Sequence, residues 1–451
     1  WPIMAGGQRC YDTVRVAVGT ATKVWRWANM GSAIRSIRAR EIFAERGLLS
    51  LEVTVTTEDG VVGVATPESG VSTGAHEAVF LLDGEERYNG MGVRRAAENV
   101  NKVIGPALKG MDVTDQLAID RALIELDGTP NKARLGANAI VGVSLAAMKA
   151  AAKTAGLSLY RYIGGANACT LPIPVVFVSS GGRYRDPGTS RWFKPTYEFE
   201  AYGAGSYSVA MEMTWRASEE CKKMFKARFG DRYQPGYTHT NLAGLIDDDR
   251  ELLDIMTESI VKLGYEHSMG IYFDCAAECY YERDIDRYVG MFSAGEKTRD
   301  DVIRWHQDNL ARYPIVSIED PLHENDFEGH ALITKELGIE VVGDDLFTTN
   351  VERLRQGIQM GAANSMVLKI TQVGTVSEAL AACRLAQASG YNVHPCGSRG
   401  DRDSIGDFSV GLNAGQLRAG SHNRMLAIEE ELGPSAVWLG KAAYKGRRNQ
   451  G

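Results

Sequence analysis

The sequence predicts an α/β chain in which an N-terminal α+β domain is followed by a (β/α)8-type barrel. Three observations carry that expectation. A β-hairpin pattern stands near the start, short apolar segments alternate with amphipathic helices downstream, and most of those segments end in a charged residue. At 451 residues the chain has room for two domains, and 44% hydrophobic content supplies a large core.

Taken in order, residues 1–32 lack the sustained apolar stretch of a signal peptide and read as an extension or an expression remnant. From Ser50 to Ala65, SLEVTVTTEDGVVGVA alternates apolar and polar residues around a turn at Glu58-Asp59-Gly60, the period-2 mark of an antiparallel hairpin. Helical spacing follows over Arg94–Leu108, Asp115–Leu126 and the alanine-rich Ala137–Ala155. These make an α+β domain over 33–168. Pro172 and Pro174 mark the change of regime, because proline tolerates only the start or edge of a strand.

The second domain is expected over 169–440, with 441–451 as a tail. Its segments GIYFDCA (270–276), PIVSIEDP (314–321), IEVVGDDL (339–346), SMVLKI (365–370) and YNVHPC (391–396) are separated by helix-length stretches. Parallel sheets require such crossovers. An open doubly wound sheet would show the same alternation, but no glycine-rich phosphate fingerprint follows a first strand.

Composition narrows the function. A formal charge of −7 argues against a general nucleic-acid binder. No run of about 18 apolar residues suggests a membrane span. Seven scattered cysteines with no CxxC pair suit a reducing cytoplasm better than a disulfide framework. The expected partners are small anionic molecules and metal cations.

Asp274, Glu319 and Asp344 each end a strand, the end at which barrel enzymes place their sites. Three carboxylates converging on one mouth are tolerable around a hard cation, so they are expected to bind Mg²⁺. Lys369 ends the next strand. Beside Mg²⁺ its ammonium form is expected to be disfavoured, which suits a base that removes a proton next to a carboxylate.

Long motifs then carry a resemblance: SGVSTG (69–74) with HEAVFLLDG after it, LDGTPNKARLGANAIVGVSLAA (126–147), SIEDP (317–321), GDDLFTTN (343–350), LKITQVGT (368–375) and IEEELG (428–433). Over about 33–440 the chain resembles the enolase family. The resemblance implies Mg²⁺ at Asp274, Glu319 and Asp344, Lys369 as base, Glu198 in the active site, and Ser72 on a loop that brings a second Mg²⁺. It also implies a homodimer or larger ring, with the segment around Arg46 facing the partner subunit.

The same resemblance shows departures. His239, in YTHTNLAG, stands where the family has a glutamate that helps the hydroxyl leave. Tyr184 replaces a histidine that closes over the substrate, Tyr197 a glutamine, Arg418 a lysine facing the substrate carboxylate, and Cys396 and Gly397 the arginine and serine that hold phosphate. His239 remains a possible acid, Arg183, Arg185 or Arg399 a new anion site, and Cys396 a thiol beside His394. The expected function is therefore proton abstraction from a phosphoglycerate- or enolpyruvate-type acid with rebuilt leaving-group and phosphate sites, of the phosphonate-pathway kind typified by carboxyphosphonoenolpyruvate synthase. Ordinary enolase activity and a non-catalytic scaffold are the alternatives.

Overall fold

The computed structural model describes residues 30–44, 48–70, 73–182, 184, 194–234 and 240–448. The expectations placed on residues 1–29, Arg46, Ser72, Arg183, Arg185 and His239 lie outside the described residues.

The N-terminal domain begins with an antiparallel meander of β1 (Ile34–Phe43), β2 (Leu49–Thr57) and β3 (Val62–Ala65). Alternation in β2 sends Leu51, Val53 and Val55 inward, each fully buried. Helix α1 (Gln116–Asp127) starts where the Asp115 carboxylate accepts from Ala118 N, and ends at Gly128, whose positive φ caps it. Helix α2 (Ala137–Thr154) is apolar nearly all round and packs on the meander. Its small side chains permit a very close approach: a Cβ on Gly63 would lie 2.0 Å from Ala146 O. The stretch Arg94–Leu108 contains a π turn at Val100–Ile104, just before Pro106, which has no N–H to give.

Eight strands close the barrel: β4 (Ile173–Ser180), β5 (Thr196–Glu200), β6 (Gly270–Asp274), β7 (Ile315–Glu319), β8 (Glu340–Gly343), β9 (Ser365–Leu368), β10 (Asn392–Pro395) and β11 (Gln416–Arg418). Strands β6 to β10 pair in parallel, and β11 pairs in parallel with β4. The seam between β10 and β11 is a single bridge, Cys396 to Arg418, with Gly397 N donating to Arg418 O at 2.9 Å.

The barrel departs from strict β/α alternation at one place. β5 runs antiparallel to both β4 and β6. Across its pairing with β4, Tyr197 faces Ser179 and Glu198 faces Phe177. Two helices, α3 (Tyr207–Phe229) and α4 (Arg250–Lys262), then precede β6.

The expected tail is folded through Arg448. Val437 and Trp438 pair with Thr170 and Leu171, Tyr444 is buried, and Lys445 N donates to Glu340 at 3.2 Å. Glu340, in the barrel floor, also accepts from Ser365 Oγ (2.7 Å), Gln416 Nε2 (2.8 Å), Asn392 Nδ2 (3.0 Å) and the ring of His394 (3.1 Å). His394 therefore serves the floor and not a thiol at the mouth. Among the described residues no disulfide joins two cysteines. Among the described residues no single helix is long and apolar enough to cross a membrane.

The Gly63→Ala substitution forces β3 off α2. It is expected to cost about 1–3 kcal/mol of stability, read as a lowered denaturation midpoint at unchanged slope.

Candidate active site at the barrel mouth

Strand register brings the acidic side chains together. Glu319 of β7 lies opposite Asp274 of β6 and Val342 of β8, and Asp344 follows β8 by one residue. Lys194 and Arg418 face Asp274 as ion-pair partners. Donor atoms of Glu319, Asp320 and Asp344 fall within 4.8 Å of one another.

Asp320 was not expected, and its chemistry differs from that of its neighbours. Its oxygens accept from the backbone N–H groups of Asp344 (3.0 Å) and Asp345 (2.7 Å), so it shapes the loop after β8. Asp274 Oδ2 is taken up by Lys194 and Arg418, while its Oδ1 is buried without a donor. The carboxylates whose oxygens lie within one ion's reach are Glu319, Asp320 and Asp344, with Asp274 opposite Glu319 on the neighbouring strand.

Three cations meet these carboxylates, and a fourth pairs with Glu77 beside them. Lys369 donates to Asp344, and Lys194 pairs with Asp274. Arg418 Nη1 lies 2.7 Å from Glu319, and its Nη2 lies 2.6 Å from Asp274 and 3.4 Å from Glu198. Arg399 pairs with Glu77. Lys194 carried no signal in the sequence, because nothing local ties it to a strand 80 residues on.

The expectation for the Lys369 ammonium is reversed in the protein alone. Burial lowers its pKa, but the Asp344 carboxylate more than offsets that and holds it above the ordinary lysine value. Any cation that engages Asp344 weakens this hold. Glu198 is buried, and desolvation raises its pKa against the opposing charges of Arg418 and Lys194. Asp345 is pushed up to about 7 by burial and by Asp344 beside it.

Glu319 is fixed from below. Tyr272, fully buried in β6, donates its hydroxyl to Glu319 Oε2, and its ring lies 5.6 Å beneath the Arg418 guanidinium. Cys396 is buried, and its thiol lies 3.3 Å from Ser398 Oγ. No described contact joins it to His394.

Tyr184 and Tyr197 share one partner. Asp249, at the start of α4, accepts from Tyr197 OH at 2.7 Å, Tyr184 OH at 3.0 Å and Gly182 N at 2.7 Å. Tyr184 was expected to touch substrate. The structure instead ties it to the barrel wall, at the root of the loop between β4 and β5. Desolvation pushes the Asp249 carboxyl up to about 7 against those three donors.

Fold and site together define a barrel enzyme with a cluster of buried carboxylates and a lysine at one mouth. Residues 34–163 match the family model described as Enolase, N-terminal domain, and residues 168–447 match Enolase, C-terminal TIM barrel domain. Relatives named Enolase include those of Methanopyrus kandleri, 44% identical over 423 residues (89% of this chain, 97% of the relative), and Methanocaldococcus jannaschii, 44% identical over 415 residues (89% and 96%). That of Corynebacterium kroppenstedtii is 39% identical over 432 residues (91% and 98%). The chain belongs to the enolase family and is an enolase-like lyase.

Two outcomes are expected from the geometry. Tyr272→Phe keeps the ring but frees Glu319, and should weaken divalent-cation binding by about 10- to 100-fold in calorimetry. For Asp249, a folded pKa near 7 against an ordinary 3.8 means that folding takes up a proton between those values. Asp249's contribution to stability is then fully present below pH 4 and is lost as pH rises to 7. Asp249→Asn should flatten that slope in denaturant unfolding, by about 1.4 kcal/mol for each unit of the rise.

Proposed function

We propose that the protein dehydrates 2-phosphoglycerate to phosphoenolpyruvate with Mg²⁺ at Asp274, Glu319 and Asp344. The observation that carries this reading is Lys369 bonded to Asp344 at the rim of that carboxylate set. Relatives named Enolase match nearly end to end, and their names carry no phosphonate chemistry. Of the departures behind the phosphonate reading, at His239, Tyr184, Tyr197, Cys396, Gly397 and Arg418, the two tyrosines have their hydroxyls taken up by Asp249 and need no new substrate to explain them.

When bound, Mg²⁺ supplies positive charge for the carboxylate whose negative charge grows as the neighbouring proton leaves. Lys369 Nζ would take that proton once its hold on Asp344 is loosened and it has released its own ammonium proton to water. Arg418, which already spans Glu319, Asp274 and Glu198, orients the substrate carboxylate with its planar fork. Glu198, raised by burial, keeps a proton available for the departing hydroxyl, with His239 as the second candidate donor. A homodimer and a cytoplasmic setting accord with this assignment.

The test is proton exchange at the carbon beside the carboxylate, followed by NMR in D₂O with Mg²⁺ and 2-phosphoglycerate, alongside ultraviolet detection of the enol product. Exchange and product are both expected. Lys369→Ala should reduce each by about 10²–10⁴-fold, and chelation should abolish both until Mg²⁺ is returned. Absence of exchange in the wild-type protein would overturn the reading.

A further inference from the structure

We propose that Arg399 is the phosphate-binding residue of this site, exchanging its Glu77 partner for the substrate's phosphate. The inference rests on the 2-phosphoglycerate reading, since a substrate with both carboxylate and phosphate needs two cationic stations. Among the described residues, Lys194, Lys369 and Arg418 are each engaged with Asp274, Glu319 or Asp344, the carboxylates assigned to the metal. Arg399 is the mouth cation whose carboxylate partner, Glu77, lies outside that set.

Its position suits the role. Arg399 follows β10 and is only 5% exposed. It shares with Lys369, Thr371 and Cys396 the wall of a small cavity of about 20 Å³. Its charge is felt at Lys369, Asp344 and Asp345, so the guanidinium stands at the reacting end of the barrel. Cys396 and Gly397, at the end of β10, offer no basic side chain, and Arg399 follows two residues later. A guanidinium offers two parallel N–H donors to two phosphate oxygens.

Glu77 is a partner that can be given up. Both Arg399 Nη atoms donate to it, 322 residues away in the chain. Glu77 also accepts from Gly74 N at 3.0 Å and faces Gln372 Nε2 at 3.4 Å, while Gln372 donates to Asp344 at 2.8 Å. When Arg399 turns to a dianion, Glu77 keeps these donors and is not left bare. Until then it holds the guanidinium in place and offsets its charge.

The competing account is that Glu77–Arg399 is only a strut between the domains. Calorimetric binding of inorganic phosphate to the full-length protein, with acetate as a carboxylate-only probe, separates the two. Arg399→Gln should weaken phosphate binding by about 10- to 100-fold and leave acetate unchanged, with Arg399→Lys in between. Glu77→Gln removes the competing charge and should tighten phosphate binding. If Arg399→Gln and Glu77→Gln lower the melting temperature alike and leave phosphate affinity within about twofold of wild type, the pair is a strut and the proposal fails. Should phosphate binding follow the expected pattern while 2-phosphoglycerate is not turned over, the functional reading fails and the Arg399 assignment stands. Turnover by a protein whose phosphate affinity ignores Arg399 overturns the assignment alone.

Discussion

The mouth of the barrel is governed by the repulsion among carboxylates held at adjacent strand ends. β-strand register leaves Asp274, Glu319 and Asp344 no means of moving apart, because each is carried on a backbone hydrogen-bonded to the next. Burial removes the water that would otherwise screen them. Lys194, Lys369 and Arg418 are the response in the folded chain, and each stands where it lowers the cost of one or two of these charges. Asp320 answers the same problem differently, by spending its oxygens on backbone N–H groups.

This arrangement links affinity to reactivity. A side chain that neutralises a carboxylate also competes with a cation for it, so the pairs Lys369–Asp344 and Arg418–Asp274 set the ground against which metal and substrate bind. Tyr272 limits how far that exchange can go, because its hydroxyl and ring restrain Glu319 and Arg418 together. The floor contributes rigidity of a different kind. Glu340 is ionised and saturated with donors from three strands, which leaves the barrel interior few ways to relax.

Much of this was legible in the sequence where the signal was local. Alternation gave the hairpin, helix-length spacing gave the parallel strands, and a charged residue at successive strand ends gave Asp274, Glu319, Asp344 and Lys369. What escaped was long-range. The reversed direction of β5 is set by its pairing with both β4 and β6, and the bonding of Tyr184 and Tyr197 to Asp249 spans 65 and 52 residues. Read singly, those tyrosines looked like altered substrate contacts; in space they are two halves of one wall anchor. Arg399 and Glu77 lie in different domains, and no periodicity could have paired them.

The single bridge between Cys396 and Arg418 has a consequence for synthesis. β4 is synthesised first and β11 last, so the ring cannot close until the end of the barrel has been made. Its acidic rim emerges before the arginine that spans three of its members. During that interval the carboxylates must stay hydrated, and the rim acquires its final charge balance only when Arg418 docks on the seam. Ring closure and assembly of the site are one event in this chain.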